Sequence, residues 1–277
     1  VHGTGANVGW PIVQQPGIDV VSFTGSNAVG QQIATECART GKRVSLEMGG
    51  KNGVIVVDDA DMTLAADAVA WGAFGTTGQR CTATSRVIVH ERVHDELVQL
   101  VVQRAQALRV GDGLDEASEM GPLVNAKQLE RVGGYMKVAA EEGARVAAGG
   151  TRASGEHLRS GFFFQPTVLA DVPQDADIMS NEPFGPVAVC CPFETFDDAI
   201  VEANRLPYGL AAFAFTENGR RANLLGDAIE SGMVGINTFA ISTPDSPFGG
   251  VKESGFGSEG GPEGLESYFV TKAIHQA

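Results

Sequence analysis

The stretch SRVIVHERVHDELVQLVVQRAQALRVGDG, residues 85–113, carries the pattern that decides the fold. It opens with a short β-branched run that ends at His90. It continues with apolar residues at helical spacing, which are Val93, Leu97, Leu100, Val101, Ala105 and Leu108. The glycines within 111–113 then stop the helical pattern. A buried strand followed at once by an amphipathic helix is the repeating unit of an α/β protein.

The same alternation recurs along the whole chain. Strand-like runs occupy residues 19–23, 43–48, 53–57, 85–90, 186–193, 211–215 and 232–237. Helical patterns occupy residues 61–74, 92–109, 197–204 and 217–231. This order predicts an α/β fold with a largely parallel sheet that is covered on both faces. The glycine- and serine-containing segment 149–161 is expected to form a surface loop or hairpin.

Charge and composition restrict the class of partner. The 277 residues include 20 Lys and Arg against 34 Asp and Glu, a net charge of -14. Such an acidic chain is not expected to bind nucleic acid or an anionic membrane. No apolar run reaches the roughly 18 residues of a membrane span. The length allows one large domain or two ordinary ones.

The cysteines differ in their surroundings. Cys37, Cys81, Cys190 and Cys191 lack the spacing of a metal site or a disulfide framework. We therefore expect no metal and a cytoplasmic protein. Cys190 and Cys191 fall within an apolar run and are expected to be packing residues. Cys81 instead lies in GTTGQRCTATSR, residues 75–86, and could be either a reactive thiol or a packing cysteine. No histidine shares such a glycine turn, which disfavours a Cys–His pair.

Three further motifs carry candidate residues. In FTGS, residues 23–26, Gly25 and Ser26 could cradle a phosphate at a helix N-terminus, or form an ordinary strand-to-helix turn. In LEMGGKN, residues 46–52, Glu47 could face a cleft beside two glycines, or be an exposed carboxylate. In NEPFGPV, residues 181–187, Glu182 and Phe184 could bind a ribose diol and a flat ring, or be a surface residue and a core residue.

Taken in order, the motifs FTGS, LEMGGKN, GQRC, NEPFGPV, INTF and SPFGGVKESGFGSEGG resemble those of the aldehyde dehydrogenase superfamily. The resemblance implies that Cys81 is the catalytic nucleophile and Glu47 the general base. It implies NAD or NADP as cofactor, bound by Gly25, Ser26, Met48, Gly49, Glu182 and Phe184. It also implies that Arg80 and Thr82 lie beside the substrate.

The resemblance implies oxidation of an aldehyde to a carboxylic acid through a Cys81 thiohemiacetal and thioester, with water activated by Glu47. The GQRC region resembles members that act on carboxylate-bearing semialdehydes, and Arg80 could pair with that carboxylate. Succinic-semialdehyde members usually have an arginine six positions before the cysteine, where this chain has Gly75. A CoA-acylating enzyme is the alternative reaction, and Glu47 counts against it.

Family members resemble this chain only over their second half, so a fragment is expected. Residues 1–46 are expected to be part of a dinucleotide-binding domain, 47–250 a catalytic domain, and 251–277 a C-terminal loop with an oligomerisation strand. The resemblance implies a homo-oligomer, either a dimer or a tetramer. The non-enzymatic alternative is an inactive fragment that associates with full-length partners.

Overall fold

The computed structural model describes all 277 residues, in two compact units. The first unit combines Val1–Gly49 with Ser242–Ala277, and the second is Gly50–Ile241. Each unit has its own sheet and its own apolar core. None of the helices has both the length and the apolar character that crossing a bilayer would require.

The first unit is built on a three-stranded sheet. Its elements are α1 (Trp10–Gln14), β1 (Val20–Thr24), α2 (Asn27–Thr40), β2 (Arg43–Glu47), β11 (Val251–Lys252) and β12 (Gly255–Phe256), with a π-helical turn at Gly5–Gly9 and a 3-10 turn at Pro262–Tyr268. Strand β2 is central, parallel to β1 and antiparallel to β12. Its core consists of Val13, Val21, Ile33, Cys37, Leu46 and Met48. Helix α2 ends at Gly41, whose φ of 72° suits a glycine.

The second unit is built on a seven-stranded sheet in the order β10-β9-β3-β4-β7-β6-β5. The strands of this sheet are β3 (Gly53–Val56), β4 (Arg86–His90), β5 (Arg145–Ala148), β6 (Thr167–Ala170), β7 (Val187–Phe193), β9 (Ala211–Phe215) and β10 (Met233–Ile236). The unit also contains the two-residue strand β8 (Tyr208–Gly209), which lies outside this sheet. All pairs in this sheet are parallel except β5 with β6, which lies at one edge. The α/β fold with a largely parallel sheet is therefore confirmed.

Helices connect these strands, and local sequence explains where several of them begin. They are α3 (Met62–Phe74), α4 (Glu91–Ala107), α5 (Ala126–Glu141), α6 (Asp177–Ser180), α7 (Phe196–Asn204) and α8 (Gly219–Ala228), with 3-10 turns at Gly75–Gly78 and Glu156–Leu158. The Asp61 side chain caps α3 by accepting from Leu64 N at 3.0 Å. Thr195 and Asp198 form a reciprocal capping box at α7.

The predicted strands and helices of both units are confirmed to within two residues at most ends. Segment 149–161 is irregular, as expected, with one 3-10 turn and an isolated antiparallel bridge from Arg152 to Phe164. The sequence interpretation did not identify α5, β5 or β6. Strand β5 has two exposed residues among its four, so it lacks the apolar run that marks the central strands.

Candidate active site

Cys81 lies in the connection between α3 and β4, in a tight turn. Ala83 N donates to Arg80 O at 3.0 Å, which closes the turn around Cys81. Asn52 Nδ2 donates to Cys81 O at 2.7 Å and to Ala83 O at 2.9 Å. Cys81 is half-buried, whereas the other three cysteines are at most 2% exposed. Burial raises the pKa of the Cys37, Cys190 and Cys191 thiols, which disfavours the reactive thiolate form in each of them.

Gly78 joins this turn to the loop before β7. Its φ is 65°, and a Cβ added there would lie 2.1 Å from Gly185 O, so no other residue fits without movement. Thr77 Oγ1 donates to Gly121 O at 3.0 Å, and the Gln79 side chain accepts from Val124 N at 2.9 Å. The segment that leads to Cys81 is therefore fixed on two sides.

The loop of residues 182–185 is held by helix α5. Gln128 Nε2 donates to the carbonyls of Pro183 and Phe184, both at 2.8 Å. Arg131 Nη2 donates to Glu182 O at 2.8 Å. Phe184 has a φ of 50°, a strained value for a non-glycine residue that these bonds maintain. The structure thus places Glu182 and Phe184 on a rigid loop packed against the Cys81 turn through Gly78 and Gly185.

The cost of burying the Glu182 carboxylate is only partly offset by the positive charges and the N–H group around it. Desolvation raises its pKa to about 7, while Lys51 and Arg131 and an N–H bond from Gly50 act in the opposite direction. Lys51 itself is 2% exposed, and its Nζ has no hydrogen-bond partner. Desolvation lowers the Lys51 pKa to about 7, with the Arg86 guanidinium adding to that effect. Shifted pKa values in neighbouring ionisable groups are typical of functional sites.

Glu47 ends β2 in the first unit. Its side chain is 3% exposed, and neither carboxylate oxygen has a hydrogen-bond partner. Desolvation raises its pKa to about 8, and the charge of Glu259 adds to that rise. A buried carboxyl group that takes up and releases a proton near neutral pH has the property required of a general base.

Gly25 and Ser26 lie beside Glu47 in the same unit. Gly25 N donates to Glu47 O at 3.0 Å, and a Cβ on Gly25 would lie 2.4 Å from the Phe23 ring. Ser26 is the exposed N-cap residue of the fourteen-residue α2, and its side chain makes no capping bond. Its hydroxyl group and the first N–H groups of α2 are therefore available to an anion.

Met48 and Gly49 follow Glu47 and are buried. The Met48 side chain is 2% exposed and packs against α2, where a Cβ on Gly30 would lie 2.1 Å from Met48 Sδ. Gly49 N donates to Asn27 Oδ1 at 3.1 Å. Because the Met48 side chain belongs to the core, any contact with a ligand is restricted to its main chain.

Arg80 and Thr82 flank the candidate nucleophile. The Arg80 guanidinium stacks on Trp71 at 3.9 Å from the ring centroid, and its Nη2 donates to Trp71 O at 3.3 Å. These contacts agree with the alternative in which Arg80 is directed into the structure. Thr82 is half-buried. No group of three or more His, Cys, Asp or Glu residues is arranged to hold a metal ion.

The structure therefore forms one candidate cluster in each unit. The first unit brings together Gly25, Ser26, Glu47, Met48 and Gly49, and the second brings together Arg80, Cys81, Thr82, Glu182 and Phe184. Sequence interpretation missed Asn52, Lys51 and Gln128. Asn52 and Lys51 fall inside the LEMGGKN motif, which could have drawn attention to them.

Comparison with known proteins adds relatives over nearly the whole chain. Residues 1–274 match the aldehyde dehydrogenase family. The α-ketoglutarate semialdehyde dehydrogenase of Haloferax volcanii is 42% identical, over 100% of this chain and 58% of that protein. The NADP⁺ succinate-semialdehyde dehydrogenase of Escherichia coli is 40% identical, over 98% and 56%.

A solved structure is similar as well. The betaine aldehyde dehydrogenase of Staphylococcus aureus, in complex with NAD⁺, superposes with a TM-score of 0.96 at 38% identity. The match covers 98% of this chain and 54% of that one. The chain thus spans about half the length of the relatives it matches.

Proposed function

Because the chain belongs to the aldehyde dehydrogenase family, we propose that it contributes the nucleophile and the general base to the oxidation of an aldehyde by NAD⁺ or NADP⁺. One observation carries the proposal for the nucleophile. Cys81 alone among the four cysteines is only partly buried, on a fixed turn, while the other three are buried. The reaction converts the aldehyde to a carboxylic acid.

The Cys81 thiolate adds to the aldehyde carbon, and the carbonyl π electrons move onto oxygen to give a thiohemiacetal oxyanion. The Cys81 N–H belongs to the same peptide unit as Arg80 O, which is fixed by its bond from Ala83 N. This N–H is the proposed donor to the oxyanion, and such a donor is worth about 3 kcal/mol of barrier. Loss of hydride from the former aldehyde carbon leaves a thioester on Cys81.

Glu47 is proposed to activate the water that hydrolyses the thioester. Its carboxylate accepts a proton as the water oxygen bonds to the thioester carbon, and the Cys81 thiolate leaves. Because the pKa of Glu47 is about 8, the basic form increases as the pH rises through that value. A CoA-acylating enzyme would transfer the acyl group to a thiol instead and would need no such base.

The cofactor residues present fit a dinucleotide. Gly25 has no room for a Cβ, and the Ser26 hydroxyl group is not used as a cap, so both suit a close anionic group. A cleft of about 630 Å³, lined by apolar residues including Trp10, Val13 and Phe23, adjoins this point in the same unit. We propose that the first unit binds the pyrophosphate and a flat apolar ring. Glu182 is proposed to bind the nicotinamide ribose and Phe184 to pack beside the nicotinamide ring, and the oxidised nicotinamide supplies the hydride acceptor when bound.

We propose a carboxylate-bearing semialdehyde as the substrate, since two relatives have names of that class. Arg80 is the proposed partner of the carboxylate, and Thr82 the second residue beside the substrate. This role for Arg80 has its own test, because its guanidinium also stacks on Trp71. An Arg80→Met variant should raise the KM for succinic semialdehyde about tenfold and leave that for propanal unchanged. An equal change for both aldehydes would assign Arg80 a structural role.

The C-terminal tail is proposed to mediate assembly into a homo-oligomer. Phe269, Val270 and Ile274 are 68%, 80% and 79% exposed, which leaves an apolar segment without packing partners. Light scattering on the chain and on a variant shortened after Tyr268 tests this. A multimer that becomes monomeric on truncation is expected, and an unchanged mass would contradict it.

The proposed function is tested by turnover. Purified chain is mixed with succinic semialdehyde or propanal and NAD⁺ or NADP⁺, and reduced cofactor is followed at 340 nm with and without CoA. CoA-independent turnover that is lost in Cys81→Ser and kept in Cys190→Ser is expected. Turnover that requires CoA would favour the acylating alternative, and absence of turnover with every pair would favour the inactive fragment.

A further inference from the structure

Asn52 lies where three segments of the second unit meet. It immediately precedes β3, an interior strand that lies between β4 and β9. Its side chain is 4% exposed. Gly50 makes room for it, since a Cβ on Gly50 would lie 2.9 Å from Asn52 Oδ1. A buried amide at such a point must have its hydrogen bonds satisfied by the protein.

Both ends of the amide group are used. Nδ2 donates to Cys81 O at 2.7 Å and to Ala83 O at 2.9 Å. Oδ1 accepts from Ala211 N, at the start of β9, at 3.2 Å. The Asn52 main-chain carbonyl also accepts from Ser85 N and Arg86 N, at 3.3 and 3.0 Å. No other side-chain type of this size supplies two donors and an acceptor.

These bonds fix both peptide units that flank the Cys81 Cα atom. The unit before it is held through Arg80 O, which accepts from Ala83 N. The unit after it is held through Cys81 O, which accepts from Asn52. With both peptide planes fixed, φ and ψ of Cys81 are fixed, and so are the directions of its Cα–Cβ bond and its N–H.

We infer that Asn52 is a positioning residue that orients Cys81, holding the sulfur and the adjacent N–H in the direction required for attack on a carbonyl. The inference rests on the proposed role of Cys81 as nucleophile. Asn52 touches neither substrate nor cofactor and acts only through the turn of residues 80–83. Without the Asn52 side chain the turn would keep its bond from Ala83 N to Arg80 O, but the peptide unit after Cys81 would lose its bond from Asn52 Nδ2.

Amide hydrogen exchange of the whole chain, read by mass spectrometry, tests this without aldehyde or cofactor. Asn52→Ala removes both donors at every pH. Asn52→Asp keeps the shape and the acceptor, but its ionised carboxylate would face the two carbonyl oxygens. When protonated, the carboxyl group can donate one of the two bonds again. The matched control is Asn204→Asp, because Asn204 also bridges two segments, through Ala228 O and Glu230 N, both at 2.8 Å.

We expect Asn52→Ala to reduce the protection of residues 80–84 about tenfold, with α4 unchanged. Asn52→Asp should match that loss at about pH 9 and recover most of the protection at about pH 5, because burial favours the protonated form. Asn204→Asp should leave residues 80–84 as in the parent at both values. If Asn52→Asp does not fold at the higher pH, the protection of residues 80–84 in Asn52→Ala tests the inference by itself.

Two results would overturn the inference. One is unchanged protection of residues 80–84 in both Asn52 variants. The other is a loss spread equally over residues 80–84 and α4 without recovery at low pH, which would mean general destabilisation. Failure of the proposed function gives a separate signal, in which iodoacetamide modifies Cys81 of the parent no faster than the buried Cys37.

Discussion

Replacing Glu47 by Gln should stabilise the protein increasingly as the pH rises. The folded chain raises the Glu47 pKa from 4.5 to about 8, so the folded state binds the proton more tightly than the unfolded one. Stability is therefore lost as the pH rises from about 4.5 to about 8, and the loss is constant above that range. Glutamine has the same shape and never ionises, so it avoids this loss.

The magnitude follows from the shift. About 3.5 pKa units at about 1.4 kcal/mol each give at most about 5 kcal/mol at full ionisation. At about pH 5 the same calculation gives only about 1 kcal/mol. The gain of Glu47→Gln over the parent in free energy of unfolding should thus increase by up to about 4 kcal/mol between about pH 5 and about pH 9.

Urea unfolding followed by tryptophan fluorescence measures this. The chain has two tryptophans, Trp10 in the first unit and Trp71 in the second, so a Trp71→Phe background reports on the unit that contains Glu47. The control is Glu266→Gln, which removes an exposed carboxylate of the same unit. A gain that is the same at every pH, or that Glu266→Gln reproduces, would refute the reasoning.

Substitutions at Gly78 and Arg86, each with a comparison variant, test the loop contact near Cys81 and a buried ion pair of the second unit. Gly78→Ala should destabilise the chain by about 3 kcal/mol, because it combines a positive φ with a clash against Gly185 O. Gly133→Ala, which has open space inside α5, should stabilise the chain by about 1 kcal/mol. Equal urea midpoints for the two variants would contradict this. Arg86→Met should cost about 3 kcal/mol, because it removes the buried partner of the Glu202 carboxylate, 2.7 Å from Arg86 Nη1, and leaves that carboxylate paired only with the partly exposed Arg205. Adding Glu202→Leu should restore much of the loss. A double variant no more stable than Arg86→Met would show that the pair itself stabilises the fold.

Sequence was sufficient for the elements whose apolar residues form continuous runs or recur at helical spacing. Strand β3 is buried at all four positions and β9 at all five, so their apolar runs were unmistakable. Edge strand β5 was missed because two of its four residues are exposed, so it lacks a continuous apolar run. Strand β6 is buried at all four positions, as β3 is, and nothing in the structure explains why its sequence was overlooked. Helix α5 has few buried positions, and its start is marked only by the Asn125 cap.

The candidate residues were identified through motifs, but their supports were not. Cys81 and Glu182 stand out because glycine and proline surround them. Asn52 acts on Cys81 from 29 positions away, and Gln128 holds Phe184 from 56 positions away. Such pairings depend on how strands stack in the sheet, and no local pattern records them. The pKa shift of Glu47 likewise arises from burial, which the sequence indicated only as proximity to two glycines.

The most direct measurement is of the acyl group itself. Glu47→Gln chain is mixed with succinic semialdehyde and each oxidised cofactor, quenched in acid, digested, and examined by mass spectrometry. The account predicts one equivalent of reduced cofactor and a succinyl thioester on the peptide that contains Cys81, which persists in this variant and is hydrolysed in the parent. Reduced cofactor formed with no acyl group on Cys81, or the same adduct lifetime in parent and variant, would contradict it.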